Sequence, residues 1–308
     1  MQPSQILQIT VDYPHPTTNT LTTPESISTT FPSPSTFSTT SSTSNKQLIS
    51  PSPTLATQKV LPKYIVLFST NVKWLFLVIL SPPLFALFIA FLIGFTIDYG
   101  DLVNYEWICG KAFLPSISRI INLPKERLCW NLGALGHLSL RPFLIYFHFK
   151  SCFNNAKSQN SIILFLTSII MVISGFSELL FTAVLTVVGE REDGNLHMLF
   201  FIAFISSCII YFTTVTLSTR LQKNYNLNKN AQKCFKIRLG LLLATIILVP
   251  TIGTFFTLYW NYCIKFAYNA FALFEYITVL TIFGFHSVII FELKNMEISF
   301  ICPQKKIQ

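Results

Sequence analysis

Six long runs of apolar residues separated by short polar segments dominate residues 64–298; they fall at about 74–97, 128–149, 161–188, 197–219, 239–260 and 266–291. Each reaches the ~20 residues that an α-helix needs to cross the hydrocarbon core of a bilayer. A helix is also the segment type that satisfies all its backbone polar groups internally, as lipid requires. The pattern predicts an all-α polytopic membrane protein, a bundle of six transmembrane helices without a separate soluble catalytic domain. The first run carries Ser81-Pro82-Pro83, where missing backbone donors predict a kink. The second is the least apolar, because it contains His137, Arg141 and Pro142.

Outside these runs the pattern changes. Residues 1–60 are rich in Ser, Thr and Pro and hold no Lys or Arg before Lys46, a composition expected of a disordered tail. Residues 299–308 form a short second tail. With no basic region followed by an apolar one at the start, no cleavable signal peptide is expected, and the first apolar run directs insertion.

Composition agrees with the membrane reading: 51% of the 308 residues are hydrophobic, only 11% are charged, and the mean hydropathy is positive. The net charge of +9 lies in the loops, not on an aromatic-studded face, so it reports topology and no nucleic-acid partner is expected. The loop between runs four and five holds Arg220, Lys223, Lys229, Lys233, Lys236 and Arg238, whereas "GEREDGN" between runs three and four is net acidic. The bias of basic residues makes the first cytosolic and the second lumenal. Both termini are then cytosolic, flanked by Lys46, Lys59, Lys63 and Lys73 at one end and Lys305 and Lys306 at the other, and 98–127 and "NYCIK" are lumenal.

Ionisable residues inside the runs carry the chemical signal, since a charged group at mid-bilayer costs about 2.5–3.5 kcal/mol on insertion scales. Glu178 and Glu275 are expected at comparable depths, either hydrogen-bonding between helices or lining a cavity. His286 lies eleven residues beyond Glu275, on the same helix face but ~16 Å along the axis, so the two mark a polar stripe and cannot form a dyad. In "EREDGNLH", Glu192 and Asp193 precede His197; a carboxylate aimed at the imidazole raises its basicity and makes a general base, against the simpler reading of an acidic loop beside an interfacial histidine. Arg119, Lys125, Arg127 and Arg141 suit either phosphate binding or interfacial anchoring. Cys109, Cys129 and Cys263 fall on the expected lumenal side, where two can pair; a Cys109–Cys263 bridge and three free thiols are the alternatives. No Cys/His spacing suits a metal, no bound cofactor is expected, and GxSxG, HExxH and P-loop motifs are absent.

Several stretches together resemble one family, the post-GPI-attachment-to-proteins factor 2 family of the Frag/DRAM/Sfk-like superfamily, with similarity to the N-terminal domain of Cwh-type GPI lipid remodelling proteins. They are Cys109 with "LPSIS" at 114–118; Pro124, Arg127 and Trp130; "SELLFTAVLTVVGEREDGNLH"; and Cys263 followed by "FALFEYITVLTIFGFH". The similarity spans about 64–298. Two places depart from the family pattern: Asn131 stands where an arginine is usual, and "HLSLRPFL" shifts His137 and reverses Arg141-Pro142, which leaves room for a divergent paralogue with another lipid preference. The resemblance implies a multi-pass protein of the Golgi or endoplasmic reticulum membrane that reacylates lyso-GPI at sn-2 with a saturated chain such as stearoyl, or is required for that step. Acyl-CoA or a phospholipid is then the acyl donor. Partners are GPI-anchored proteins bearing the lyso-GPI intermediate, membrane lipids and other GPI-remodelling proteins. In that setting His197, with Glu192 and Asp193, is the expected catalytic base. Glu178, Glu275 and His286 line the lipid cavity, and Arg119, Arg127 and Arg141 lie near the phosphoinositol. A non-catalytic scaffold for a separate acyltransferase, and a lipid transporter or scramblase, are the competing expectations.

Overall fold

A computed structural model describes residues 8–12, 64–103, 109, 112–223, 225–293 and 297–303. The expected tail at 1–60 therefore lies outside the described residues except at 8–12. The chain divides into two compact units, residues 70–298 and the remainder. Three short strands, β1 (Gln8–Asp12), β2 (Tyr64–Asn71) and β3 (Glu297–Pro303), form a sheet in the order β1-β3-β2. Apart from these strands the described residues are helical or irregular, in keeping with the all-α expectation for the membrane domain. "QITVD", "YIVLFSTN" and "EISFICP" are rich in the β-branched and aromatic residues that favour strands.

The larger unit is helical: α1 (Val72–Thr96), α2 (Tyr99–Val103), α3 (Ile117–Ile120), α4 (Pro124–Leu140), α5 (Pro142–Gln159), α6 (Ile162–Val187), α7 (Gly194–Arg220), α8 (Lys229–Tyr262) and α9 (Lys265–Glu292). Side-chain caps start four of the long helices: Asn71 accepts from Lys73 N, Ser161 from Leu164 N, Asp193 from Leu196 N, and Asn228 from Asn230 N and Ala231 N. Among the described residues, α1, α6, α7, α8 and α9 are long and apolar enough to cross a membrane. Large apolar side chains such as Phe85, Phe88, Leu180 and Ile247 cover their outer faces, as a lipid-facing surface requires. The chain is a polytopic membrane protein.

The expected second span, 128–149, is instead shared by two helices. α4 ends where Pro142 cannot donate, and α5 begins there, although Arg141 keeps helical dihedrals. Together they run from one end of the bundle to the other. Arg127 reaches Val187 O and Glu192 beside the start of α7, whereas Gln159 donates to Leu221 O at the far end of α7. α1 packs on α4 and α9, α4 and α5 on α6, α6 on α7, and α8 on both α7 and α9.

Proline chemistry explains how α1 meets α4. α1 stays helical through Pro82 and Pro83, and a proline at position 83 leaves the carbonyl four residues back, Ile79 O, without its helical donor. His137 of α4 fills the gap, its Nδ1 lying 2.8 Å from Ile79 O. Gly133, one turn earlier, makes that approach close: a Cβ there would stand 2.4 Å from Ala86 Cβ and 2.7 Å from Pro82 O. Gly133→Val is therefore expected to force the helices apart and destabilise the bundle by about 1–3 kcal/mol, read as a fall in melting temperature in detergent; an unchanged melt would show that the contact is slack.

Candidate functional site

Cys109, residues 112–119, residues 188–193 and Cys263 meet at one end of the bundle. Cys109 and Cys263 form a disulfide, and Cys129 is free. The polar residues of α9 hold the segment that follows Cys109: Asn269 Oδ1 accepts from Phe113 N and Leu114 N, Tyr276 donates to Pro115 O, and Tyr268 donates to Ser116 Oγ at 3.2 Å. Cys263→Ser is expected to abolish a mobility difference between reduced and non-reduced gels and to lower the melting temperature. Retention of the difference would assign the bridge to another pair.

Glu275 completes that anchorage and joins it to His197. Its Oε2 accepts from Ile117 N at 2.8 Å, and its Oε1 lies 3.3 Å from Ser118 Oγ. Ser118 Oγ is also 3.1 Å from His197 Nε2, while His197 Nδ1 is 2.7 Å from Val188 O. A carbonyl only accepts, so Nδ1 is the protonated nitrogen and Nε2 of the neutral ring faces the serine with its lone pair. α3, α7 and α9 thus each contribute one member of a Ser118–His197–Glu275 group.

The carboxylates expected to assist His197 do other work, which corrects their assignment. Glu192 is tied to Arg127 Nη1 at 2.6 Å and to Gly189 N at 3.0 Å, and Asp193 caps α7. The Arg127 contact holds the Glu192 carboxyl below its ordinary range, so this tie is present at neutral pH and is lost only as pH falls through that lowered value. The cations expected to hold phosphate carry carboxylate partners as well. Lys125 pairs with Asp98 at 2.9 Å, and Arg119 is buried, 3.3 Å from Glu190 and stacked over Tyr268.

Toward the other end, Arg141 is ion-paired with fully buried Glu178, and its Nη2 lies 2.5 Å from His286 Nε2, which is 3.1 Å from Glu178 Oε1. Glu178 is therefore level with His286 and not with Glu275, which corrects the expected depths. The ring of His286 stacks on Tyr211, whose hydroxyl meets His148 Nδ1 at 2.8 Å; Arg238 then donates to His148 Nε2 and to Glu292. His148, Tyr211 and Glu292 carried no signal in the sequence, Arg238 stood out only as one of the basic residues after the fourth run, and Ser118 only as part of "LPSIS".

A cavity of about 140 Å³ connects the two polar groups. Ser118, His197 and Glu275 line it together with Arg141 and His286, and the rest of the wall is largely apolar. Glu275 and His286 share this wall without touching each other's partners, as the helix spacing requires. Glu178, Arg119 and Arg127 are not part of the wall; Arg127 lines a smaller recess beside His197. Two buried donors of the lining residues, Trp130 Nε1 and Arg141 Nε, have no hydrogen-bond partner.

Fold and cavity define a multi-pass membrane protein with a polar site enclosed by apolar helices. The Frag1/DRAM/Sfk1/Cwh43P N-terminal domain profile matches residues 71–296, and the chain belongs to this family. The chain is 27% identical over 222 residues, 72% of its length, to the Drosophila melanogaster protein "Post-GPI attachment to proteins factor 2", covering 85% of that relative. It is 28% identical over 205 residues to the Xenopus tropicalis protein "Acyltransferase PGAP2", covering 63% of this chain and 77% of the relative. No solved structure matches the chain.

Proposed function

We propose that the protein acts in GPI-anchor lipid remodelling, reacylating lyso-GPI at sn-2 with a saturated chain such as stearoyl. The observation that carries this reading is His197 Nε2, a lone pair held against a hydroxyl in the wall of a cavity set among apolar helices. A general base so placed can take the proton of an alcohol during ester formation. The apolar wall suits an acyl chain, and Glu275 positions the segment that carries Ser118. Relatives named for GPI attachment and for acyl transfer support the substrate and the reaction class. α4 and α5 serve as one broken crossing, which makes six in all. The disulfide end is lumenal, where oxidising conditions permit the bridge, and both chain ends are cytosolic. The compartment is the Golgi or endoplasmic reticulum membrane, with an acyl-CoA or a phospholipid as donor.

The test is transfer of labelled stearoyl to lyso-GPI by the purified protein in liposomes. Activity without any partner supports the reading. Transfer only after a second protein is added makes this chain a scaffold, and lipid flipping without transfer makes it a scramblase.

A further inference from the structure

The placement of Ser118 says more than that a base faces the cavity. Its hydroxyl has one proton and faces two acceptors: Glu275 Oε1 at 3.3 Å, to which it donates, and His197 Nε2 at 3.1 Å, the unprotonated nitrogen of the tautomer fixed by Val188 O, so that rotation about the Cβ–Oγ bond brings the proton to the imidazole. A serine hydroxyl within hydrogen-bond reach of the free nitrogen of a histidine, whose other nitrogen is already committed, is the arrangement from which a base can activate a weak nucleophile. The serine also sits on a fixed platform. The stretch around it is held by Asn269, Glu275 and Tyr276 on α9, and Cys109 upstream of it is bonded to Cys263.

Cavity size adds a second argument. About 140 Å³ is below the ~300–1,000 Å³ that sites for drug-sized ligands occupy, so the enclosed space at Ser118 suits one reacting ester group at a time. A route in which the two lipids use the site in turn, with the acyl group kept in between, fits that space.

We propose that Ser118 is the nucleophile of a two-step transfer and carries the acyl chain as an ester between the two lipids. This deepens the reacylation reading and rests on it. In the first step Ser118 Oγ bonds to the donor carbonyl carbon, the bond from that carbon to the donor's ester oxygen or thioester sulfur breaks, and the Oγ proton passes through His197 Nε2 to the leaving group. In the second, the lyso-lipid hydroxyl oxygen bonds to the same carbon, the Oγ–carbon bond breaks, and the hydroxyl proton returns through His197 to Oγ. Trp130 and Arg141 also line the cavity, and their Nε1 and Nε are buried donors without a partner.

The experiment uses the full chain in liposomes with stearoyl-CoA, and separately phosphatidylcholine, labelled in the acyl chain, followed by denaturing gels and peptide mass mapping. The wild type is expected to take up label at Ser118 in a form that resists neutral hydroxylamine. Ser118→Ala is expected to take up none and to lose transfer on the order of 10³-fold or more. Ser118→Cys, close in size, is expected to hold the label as a thioester that neutral hydroxylamine releases, which separates loss of the nucleophile from loss of folding. Transfer to lyso-GPI by the wild type without labelled protein, or label that persists in Ser118→Ala, overturns the intermediate and leaves the reacylation reading intact. Label at Ser118 that never reaches lyso-GPI upholds the intermediate and removes lyso-GPI as the acceptor. Neither label nor transfer with either donor overturns both.

Discussion

His197→Ala is expected to slow stearoyl transfer to lyso-GPI by about 10²–10⁴-fold, the usual contribution of a positioned general base, while leaving the protein folded. The imidazole is partly exposed at the start of α7 and makes two hydrogen bonds, to Val188 O and Ser118. Losing them costs on the order of 1 kcal/mol each, too little to unfold a bundle of this size. Glu192→Gln and Asp193→Asn are the contrast. Neither carboxylate touches the ring, so their effects are confined to the Arg127 tie and the α7 cap, and rates are expected to stay within a few-fold of wild type. Initial rates at matched amounts of folded protein decide the matter. Full activity in the alanine variant would sink the base assignment, and a collapse of activity in Glu192→Gln would restore the acidic loop to the site.

Arg141→Ala is expected to have the largest effect on stability, about 3–5 kcal/mol, because it leaves Glu178 as a buried carboxylate stripped of its main counter-charge. His286 remains within 3.1 Å but is itself part of the cavity wall. Arg141→Met combined with Glu178→Leu removes both charges and keeps apolar volume, so most of the lost melting temperature is expected to return, with strong non-additivity between the two sites. Melting curves in detergent for the two single variants and the pair test this directly. A single variant that melts with the wild type would show that the pair does not hold the bundle together.

Hydropathy made the long helices legible, since a run of ~20 apolar residues has few alternatives in a membrane. The ends of α1, α6, α7 and α9 fall within a few residues of the expected spans, and α8 runs about ten residues further at its start, into the basic loop. The α4–α5 break was less legible. Hydropathy averages over Arg141 and Pro142, whereas the chain stops a helix there and uses the arginine in an ion pair. The site was readable as an inventory but not as a set of partners. Glu275, His197 and Arg141, expected in different roles, line one cavity, yet Ser118 lies 79 residues from His197 and 157 from Glu275. Glu192 and Asp193 misled because closeness in sequence looks like contact, and at a helix start such carboxylates have backbone N–H groups and cations to satisfy first. His137 shows the reverse. In the sequence it is a displaced family residue; in the structure it answers the carbonyl that Pro83 leaves open.

Glu275 also sets a length. One of its carboxylate oxygens is committed to the backbone of α3 and the other touches the hydroxyl one residue further on, so the separation between α9 and Ser118 equals the reach of a single side chain. Aspartate is shorter by one carbon–carbon bond, about 1.5 Å, and satisfies both contacts only by drawing α3 toward α9, which takes the hydroxyl away from the nitrogen on α7. Among carboxylates at position 275, chain length therefore governs the spacing between serine and histidine even though charge and acceptor count stay the same.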